Sequence, residues 1–299
     1  TKLPQMRLFK DACKAVVEKP EDENGVSSFQ ALMVSTASRV GTGNIIGVSS
    51  AICIGGFGSV FWMWVIAIIG SASLIESTLA QIYKKKGKDG ECYGGPAYYI
   101  EAALHCRPLA IVFCLSMIAT YAFGFNMLAS YNLQSTFSGF SFYDAKWTPW
   151  IIGGILAVIT GWCLLGGGSR IVKVTSTLVP AMGVAYILIV MIINHAYLPV
   201  VFSKIISEAF DFKAIFGAFA GSAMMQGIRR GLYSNEAGIG SAPNASASAQ
   251  VSHPIKQGLV QMLSVFITFM YSNRHDVLIL RNRSSKRTAG STMGTGSTA

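Results

Sequence analysis

Apolar residues run through this chain in blocks of about twenty to thirty, longer than the helices of an ordinary soluble core and long enough to cross a bilayer. The first block extends from Phe29 to Ile54. Near its middle it carries Thr36-Ala-Ser-Arg-Val-Gly-Thr-Gly-Asn44. Two glycines around a threonine weaken a helix by about 1 kcal/mol each, and a buried Asn without a partner costs more. The pattern therefore predicts a spanning helix broken over Gly41–Gly43. Irregular backbone at membrane depth survives where it is packed in protein or lines a wet cavity; a kinked helix packed through small residues is the alternative. Further blocks predict spans over Phe57–Tyr83, Pro108–Phe137, Trp147–Leu165 and Val174–Asn194, with a sixth beginning near Lys213. Residues 1–26 mix both charges and read as a surface or interfacial helix, and Gly94–His105 as a second interfacial helix. Tyr98, Tyr99 and Glu101 on it read as interfacial anchors.

The sixth block repeats the oddity of the first. Gly217, Gly221, Gly227 and Gly231 punctuate it, Gln226 sits between Met225 and Gly227, and Ser234-Asn-Glu-Ala-Gly-Ile-Gly-Ser-Ala-Pro-Asn244 follows. From Ala214 to Gln250 it is too long for one span of about 20 residues, so it must bend or break. Two broken segments five spans apart, entering from opposite sides, are what an inverted five-helix repeat predicts. The expected organisation is a cytoplasmic-side segment 1–26, a first repeat 27–200, the start of a second repeat 201–271, and a basic tail 272–299.

Charge fixes the orientation. Lys84, Lys85, Lys86 and Lys88 follow the second span, the loop Gly166–Lys173 carries Arg170 and Lys173, and Arg229 and Arg230 close the sixth. All fall on one side, and basic loops mark the cytoplasm. The 299 residues are 52% hydrophobic and 13% charged, against about 25% charged for a soluble domain. A nucleic-acid role is excluded, since the lysines accompany no aromatic platform or soluble domain. The six cysteines show no Cys-x-x-Cys spacing and no His partners, so neither a disulfide framework nor a metal site is indicated. No nucleophile–base pair stands out, so the chain does not read as an enzyme. The first residue is Thr and no signal-peptide pattern follows, so the true start is expected upstream.

The segments Arg39-Val-Gly-Thr-Gly-Asn-Ile, Phe61-Trp-Met-Trp, Glu76-Ser-Thr-Leu-Ala-Gln, Gly94-Gly-Pro-Ala-Tyr-Tyr-Ile-Glu and Ser234–Asn244 resemble the alanine or glycine:cation symporter family, the sodium:alanine symporters. The resemblance runs from Phe29 to Phe266. It implies an all-α polytopic membrane protein of LeuT-type inverted-repeat fold, with the first repeat complete and the second truncated. It also implies Na+-coupled uptake (H+-coupled in some members) of small neutral amino acids such as alanine or glycine across the cytoplasmic membrane of a prokaryote, by a monomer with no enzymatic cofactor. A non-transporting membrane fragment or scaffold is the alternative.

Carried over residue by residue, the resemblance implies that the amides of Thr42 and Gly43 receive the substrate carboxylate at a helix N-terminus. Asn44 offers its side-chain oxygen to Na+ or substrate. The carbonyls of Ala37 and Val40 contribute to a cation site. Met225, Gln226, Gly227 and Ile228 form the matching break and shape the pocket, and Asn126 faces the substrate from the third span. Arg39 pairs with Glu236 in a cytoplasmic gate, or snorkels. Glu76, inside the second span, needs a partner and is read either as structural or as a proton or ion group. Two departures stand out. Ala129 occupies the place of a family Gln, with Asn132 or Gln134 nearby. After Ile267 the family's Asp-Thr pair is missing, and Ser272 onward gives five Lys/Arg and one acid in 28 residues. Shifted by one base, Ser-Asn-Arg-His-Asp-Val can encode Ala-Thr-Ala-Thr-Met, so this tail is expected to be a frameshifted reading, and the chain alone is not expected to perform coupled transport.

Overall fold

The computed structural model describes residues 7–18, 20, 25–69, 72–87, 91–210, 222–236 and 238–272; for residues 42–46, 69, 187, 190, 191, 194 and 268–272 it fixes the backbone only. The described chain is almost wholly helical: α1 Phe9–Val17, α2 Ser28–Arg39, α3 Thr42–Gly55, α4 Gly58–Ile69, α5 Ala72–Ile82, α6 Pro96–Leu104, α7 Arg107–Ile118, α8 Asn126–Thr136, α9 Thr148–Leu165, α10 Gly167–Asn194, α11 Leu198–Ala209, α12 Ala223–Asn235, α13 Ser241–Ser248 and α14 Pro254–Ser272. One departure from an all-helical chain is a two-residue antiparallel ribbon, β1 Lys85–Lys86 with β2 Cys92–Tyr93. Lys85 and Lys86 of the lysine cluster form its first strand; Lys85 Nζ lies 5.5 Å from the Tyr98 ring centre and the Tyr93 and Tyr98 rings stand 5.6 Å apart.

Three stretches are long and apolar enough to cross a membrane: Gly58–Ile82, whose residues 70 and 71 lie outside the described set, Arg107–Gly139 and Thr148–Leu165. Arg107–Gly139 passes from α7 to α8 through a wide π-helical turn, Ala119–Phe125, a form that often marks functional positions in helices. The loop expected over Gly166–Lys173 is instead the start of α10. Gly167, at φ +71, makes the turn out of α9. Arg170 then folds back over Trp162, 4.9 Å above its ring, and donates to the Trp162 carbonyl at 2.8 Å. Those contacts hold the basic residue to the preceding helix, so a separate loop is unnecessary.

The chain divides into two compact units: Thr1–Gly43, Gly70–Pro180 and Glu236–Ile267 form the first, and Asn44–Ile69, Ala181–Asn235 and Thr268–Ala299 the second. In the first, α2 starts with a capping box. Gln30 N–H donates to Ser27 Oγ at 3.1 Å, and Ser27 N–H to Gln30 Oε1 at 2.9 Å, satisfying two of the donors that a helix start leaves free. The small residues Ala12 and Ala15 let α1 lie close, so that Ala15 packs with Leu32, Met33 and Val260, and Ala12 with Leu259 and Met262. Helix α13, with its run of Ala and Ser, packs against α2 and α5.

In the second unit α4 is the centre, packed on α12 and α11. Val48, Ile52, Phe57, Val60, Met63, Val201 and Ile205 make its core. Glycine sets the closeness of α12: a Cβ at Gly227 would meet the Ser59 carbonyl and Trp62, and one at Gly231 would touch Ile66. Glu208 reaches back from α11 to accept from Phe57 N–H at 2.7 Å, which caps the start of α4 with a carboxylate.

Candidate functional site

Helix α2 stops at Arg39. Val40 N–H still donates to the Thr36 carbonyl at 2.8 Å, but its φ/ψ of −86°/71° turns the chain out of the helix. A fresh helix opens at Thr42. The interruption is therefore shorter than the expected Gly41–Gly43: Val40 and Gly41 lie in the break, while Thr42 and Gly43 are the first residues of α3. The first turn of any helix has N–H groups without intrahelical partners, so these two amides lie at the positive end of a fourteen-residue helix. Ala37 belongs to the last turn of α2, whose carbonyls lose their partners where the helix stops. Among the described residues, and apart from its chain neighbours, no heavy atom lies within 4 Å of the position a Cβ on Gly41 would take.

Arg39 is 2% exposed. Its guanidinium spreads over two other helices. One nitrogen donates to the Gln261 carbonyl at 3.2 Å and to Ser264 Oγ at 2.5 Å, and the other to Ser73 Oγ at 2.8 Å. Glu236 and Glu76 are the acids whose charges it feels. The expected direct pairing of Arg39 with Glu236 takes another form. The Glu236 carboxylate accepts from Ser38 Oγ at 3.2 Å and from Ser241 Oγ at 2.6 Å, so the opposite charges share a cluster while each is held by hydroxyls. Glu236 adopts φ +47°, and Gly238 and Gly240 adopt +90° and +91°. These left-handed positions bring the Gly238 N–H to the Glu76 carboxylate, which lies inside α5. Glu76 Oε2 is buried without a hydrogen-bond partner among the described residues, so the need for a partner is met only in part. Beyond the spans, burial pushes the Tyr99 phenol, which also feels the Glu76 charge, up to about 12, so it meets the cluster as a neutral group.

Four of the motif segments singled out in the sequence meet in this first unit. Asn244 lies against Gly95, Gly240 against Pro96 and Phe113, and Gly94 against Ala247. Gln81 donates to the carbonyls of Ser246 and Ala249, the latter at 2.9 Å. Arg39 joins through Ser73, and Ser38 through Glu236. The fifth segment, Phe61–Trp64, lies in the second unit. There Trp62 Nε1 donates to the Ala209 carbonyl at 2.9 Å and the Phe61 ring meets Phe210 at 5.0 Å.

The other expected site residues are placed less centrally. Asn126 is exposed and donates to the Ala122 carbonyl of its own helix at 3.1 Å. Met225, Gln226, Gly227 and Ile228 do not form a break, because α12 runs through all four; Gly227 serves close packing on α4. The chain leaves the helix at Glu236, eight residues after Ile228. The beginning of the sixth span, including Gly217 and Gly221, lies outside the described residues.

The model of the sodium:alanine symporter family matches residues 1–295. The chain belongs to this family. The match takes in the stretch beyond Ser272 that was expected to be out of frame. Amino-acid carrier protein AlsT of Bacillus subtilis is 45% identical over 282 residues, 92% of this chain and 59% of that protein. Sodium/alanine symporter AgcS of Methanococcus maripaludis is 39% identical over 275 residues, 88% and 60% respectively. Probable sodium/glutamine symporter GlnT of B. subtilis is 43% identical over 270 residues, 88% and 55%. The chain thus spans somewhat more than half the length of these curated relatives. The sodium:alanine symporter family is one of transporters, and this member is a helical membrane protein. Sequence reasoning missed Ser73, Gln261 and Ser264 as partners of Arg39. A signal was present: polar residues recur one helical turn apart inside apolar blocks, at Ser73, Ser77 and Gln81 and at Gln257, Gln261 and Ser264.

Proposed function

We propose that this chain is part of a secondary active transporter carrying small neutral amino acids with Na+ into the cell, as a multi-pass protein of the prokaryotic cytoplasmic membrane. The observation that carries the reading is the helix interrupted at Val40–Gly41 with Thr42 and Gly43 opening the next helix, in a sodium:alanine symporter. A carboxylate is received by the free amides of α3, where the N–H groups and the helix dipole both favour negative charge. Gly41 and Gly43 let it approach the backbone. Asn44 and the carbonyls of Ala37 and Val40 supply oxygens for the cation. The names of the relatives, which mention alanine and glutamine, support a neutral amino acid as cargo. The architecture we assign is the LeuT-type inverted repeat, with the first repeat over 27–200.

The test is uptake of radiolabelled alanine, glycine and glutamine by proteoliposomes holding the full-length transporter that carries this sequence, with Na+ replaced by choline as control. Asn44→Ala should lower Na+-dependent uptake, and Gly43→Val should abolish it because the valine side chain stands where the carboxylate must reach the amides. Unchanged kinetics in both variants would remove this site from consideration, and uptake indifferent to choline replacement would reject sodium coupling.

A further inference from the structure

Helices α2, α5 and α14 of the first unit meet along a line of polar side chains that the proposed substrate and cation roles leave unused. From α5 come Ser73 and Ser77, one turn apart. From α14 come Gln257, Gln261 and Ser264, and from α2 Ser35, Thr36 and Arg39. All are at most 2% exposed. At one end Arg39 ties Ser73 to Ser264 and the Gln261 carbonyl. One turn back on α14, Gly258 sits so close to Leu74 and Thr78 that a Cβ there would collide with both. Ser73 is therefore level with residues 261–264 and Thr78 with Gly258. The helices run antiparallel, and this register brings Ser77 to the level of residues 257–261.

At this end the hydrogen bonds stop closing. Ser35 Oγ donates to Gln261 Oε1 at 2.6 Å. Among the described residues, Gln261 Nε2, both polar atoms of Gln257, Ser77 Oγ and Thr36 Oγ1 are buried without a protein partner. A buried polar atom left unsatisfied is costly, and native proteins satisfy almost all of them through protein or ordered water. The chemistry of the set decides what it binds. Two amide NH2 groups and the nearby guanidinium disfavour a hard cation such as Na+, which takes oxygen ligands, and no thiolate or imidazole is present among these groups for a softer one. The amide oxygen of Gln257 and the carboxylates facing Arg39 disfavour an anion. Two hydroxyls can play either role. Water alone both donates and accepts, and a buried water typically makes about three such bonds.

We propose that the seam between α2, α5 and α14 is an internal water site, with bound water bridging Gln257, Ser77 and Gln261 Nε2 and continuing the Arg39 cluster along α2. Water at this position gives α2 replacement hydrogen bonds whenever it shifts against its neighbours, so the half-helix ahead of the break is held by an exchangeable polar contact. The inference stands on the packing of one unit and does not depend on the substrate reading.

The sign of a stability change tests it. In the wild-type chain and in Gln257→Met, of similar size, thermal unfolding in detergent is compared. In a dry seam, methionine removes an unsatisfied amide and Tm rises. In a wet seam it removes water-bonded groups and Tm should fall by about 3 °C or more, the scale of a lost hydrogen bond in a chain of this size. Ser77→Ala should also lower Tm, and the double variant should lose less than the sum, since both residues hold the same water. A rise in Tm or full additivity would overturn the proposal. So would a Gln257→Met effect that vanishes when Na+ is replaced by choline, because the ligand would then be the cation. Should the variants fail to fold, hydroxyl-radical footprinting of the wild-type chain with a synchrotron pulse decides the matter. Met262, next to Gln261 on α14 and packed with Ala12 and Leu259, and Met63, in the apolar core of the second unit, are both 2% exposed. Oxidation of Met262 well above Met63 is expected, and equal oxidation would refute the water site.

Discussion

Arg39 shows what one residue can and cannot disclose. An arginine in an apolar block announces a partner, because an unpaired charge there is too costly to persist. The identity of that partner is not local. The structure gives it one hydroxyl on α5, and a hydroxyl and a carbonyl on α14, residues 34 to 225 positions away. Replacing Arg39 with Met should destabilise the fold by about 3 kcal/mol, since it leaves Ser73, Ser264 and the Gln261 carbonyl with fewer partners and the two acids without their counter-charge. Arg39→Lys should recover only part of this, because an ammonium cannot span two helices as the guanidinium fork does. Chemical unfolding in detergent monitored by tryptophan fluorescence would check both. At Gly41, where space is open, alanine should leave stability unchanged. If substrate occupies that space in the full-length transporter, the same variant should raise KM for uptake.

At the scale of elements, the helices were legible and their interruptions were partly so. Hydrophobic blocks placed α4 with α5, α7 with α8, and α9. The first break was placed within two residues, because Gly-Thr-Gly weakens a helix wherever it lies. The second was placed wrongly: Gly227 and Gly231 look like helix breakers in sequence, but α12 uses them to approach α4. A glycine costs a helix about 1 kcal/mol, which close packing readily offsets. Gly227→Ala should therefore destabilise the chain by about 1–3 kcal/mol, as overpacking does, although alanine is the better helix former. A gain in Tm would show that the α4–α12 contact is looser than described. Glu208→Ala should cost about 1 kcal/mol by removing the carboxylate that caps α4.

For the molecule as a whole, the surface matters as much as the packing. No residue in the apolar stretch Thr148–Leu165 is buried within the protein, and Trp150 is 80% and Leu165 91% exposed. An apolar face of that extent requires an apolar surrounding. In liposomes containing brominated lipids, the fluorescence of Trp147, Trp150 and Trp162 should be strongly quenched, whereas Trp62, held to Ala209 in the second unit, should retain most of its emission. Single-tryptophan variants separate the signals, and an unquenched Trp150 would show that its face does not meet the acyl chains.

The sequence by itself determined the class of protein, the course of three spans, the neighbourhood of the first helix break and the family, because each rests on composition, periodicity or short contiguous motifs. Tertiary structure decided which polar groups close on one another: Ser38 and Ser241 on Glu236, Ser73 and Ser264 on Arg39, and the Gly238 backbone on Glu76. It also decided that Glu236, Gly238 and Gly240 would take left-handed dihedrals to make those contacts, and that α12 would continue through its glycines. These outcomes depend on residues far apart in the chain, whose pairing carries no local periodicity, and on packing distances that a glycine permits but does not announce.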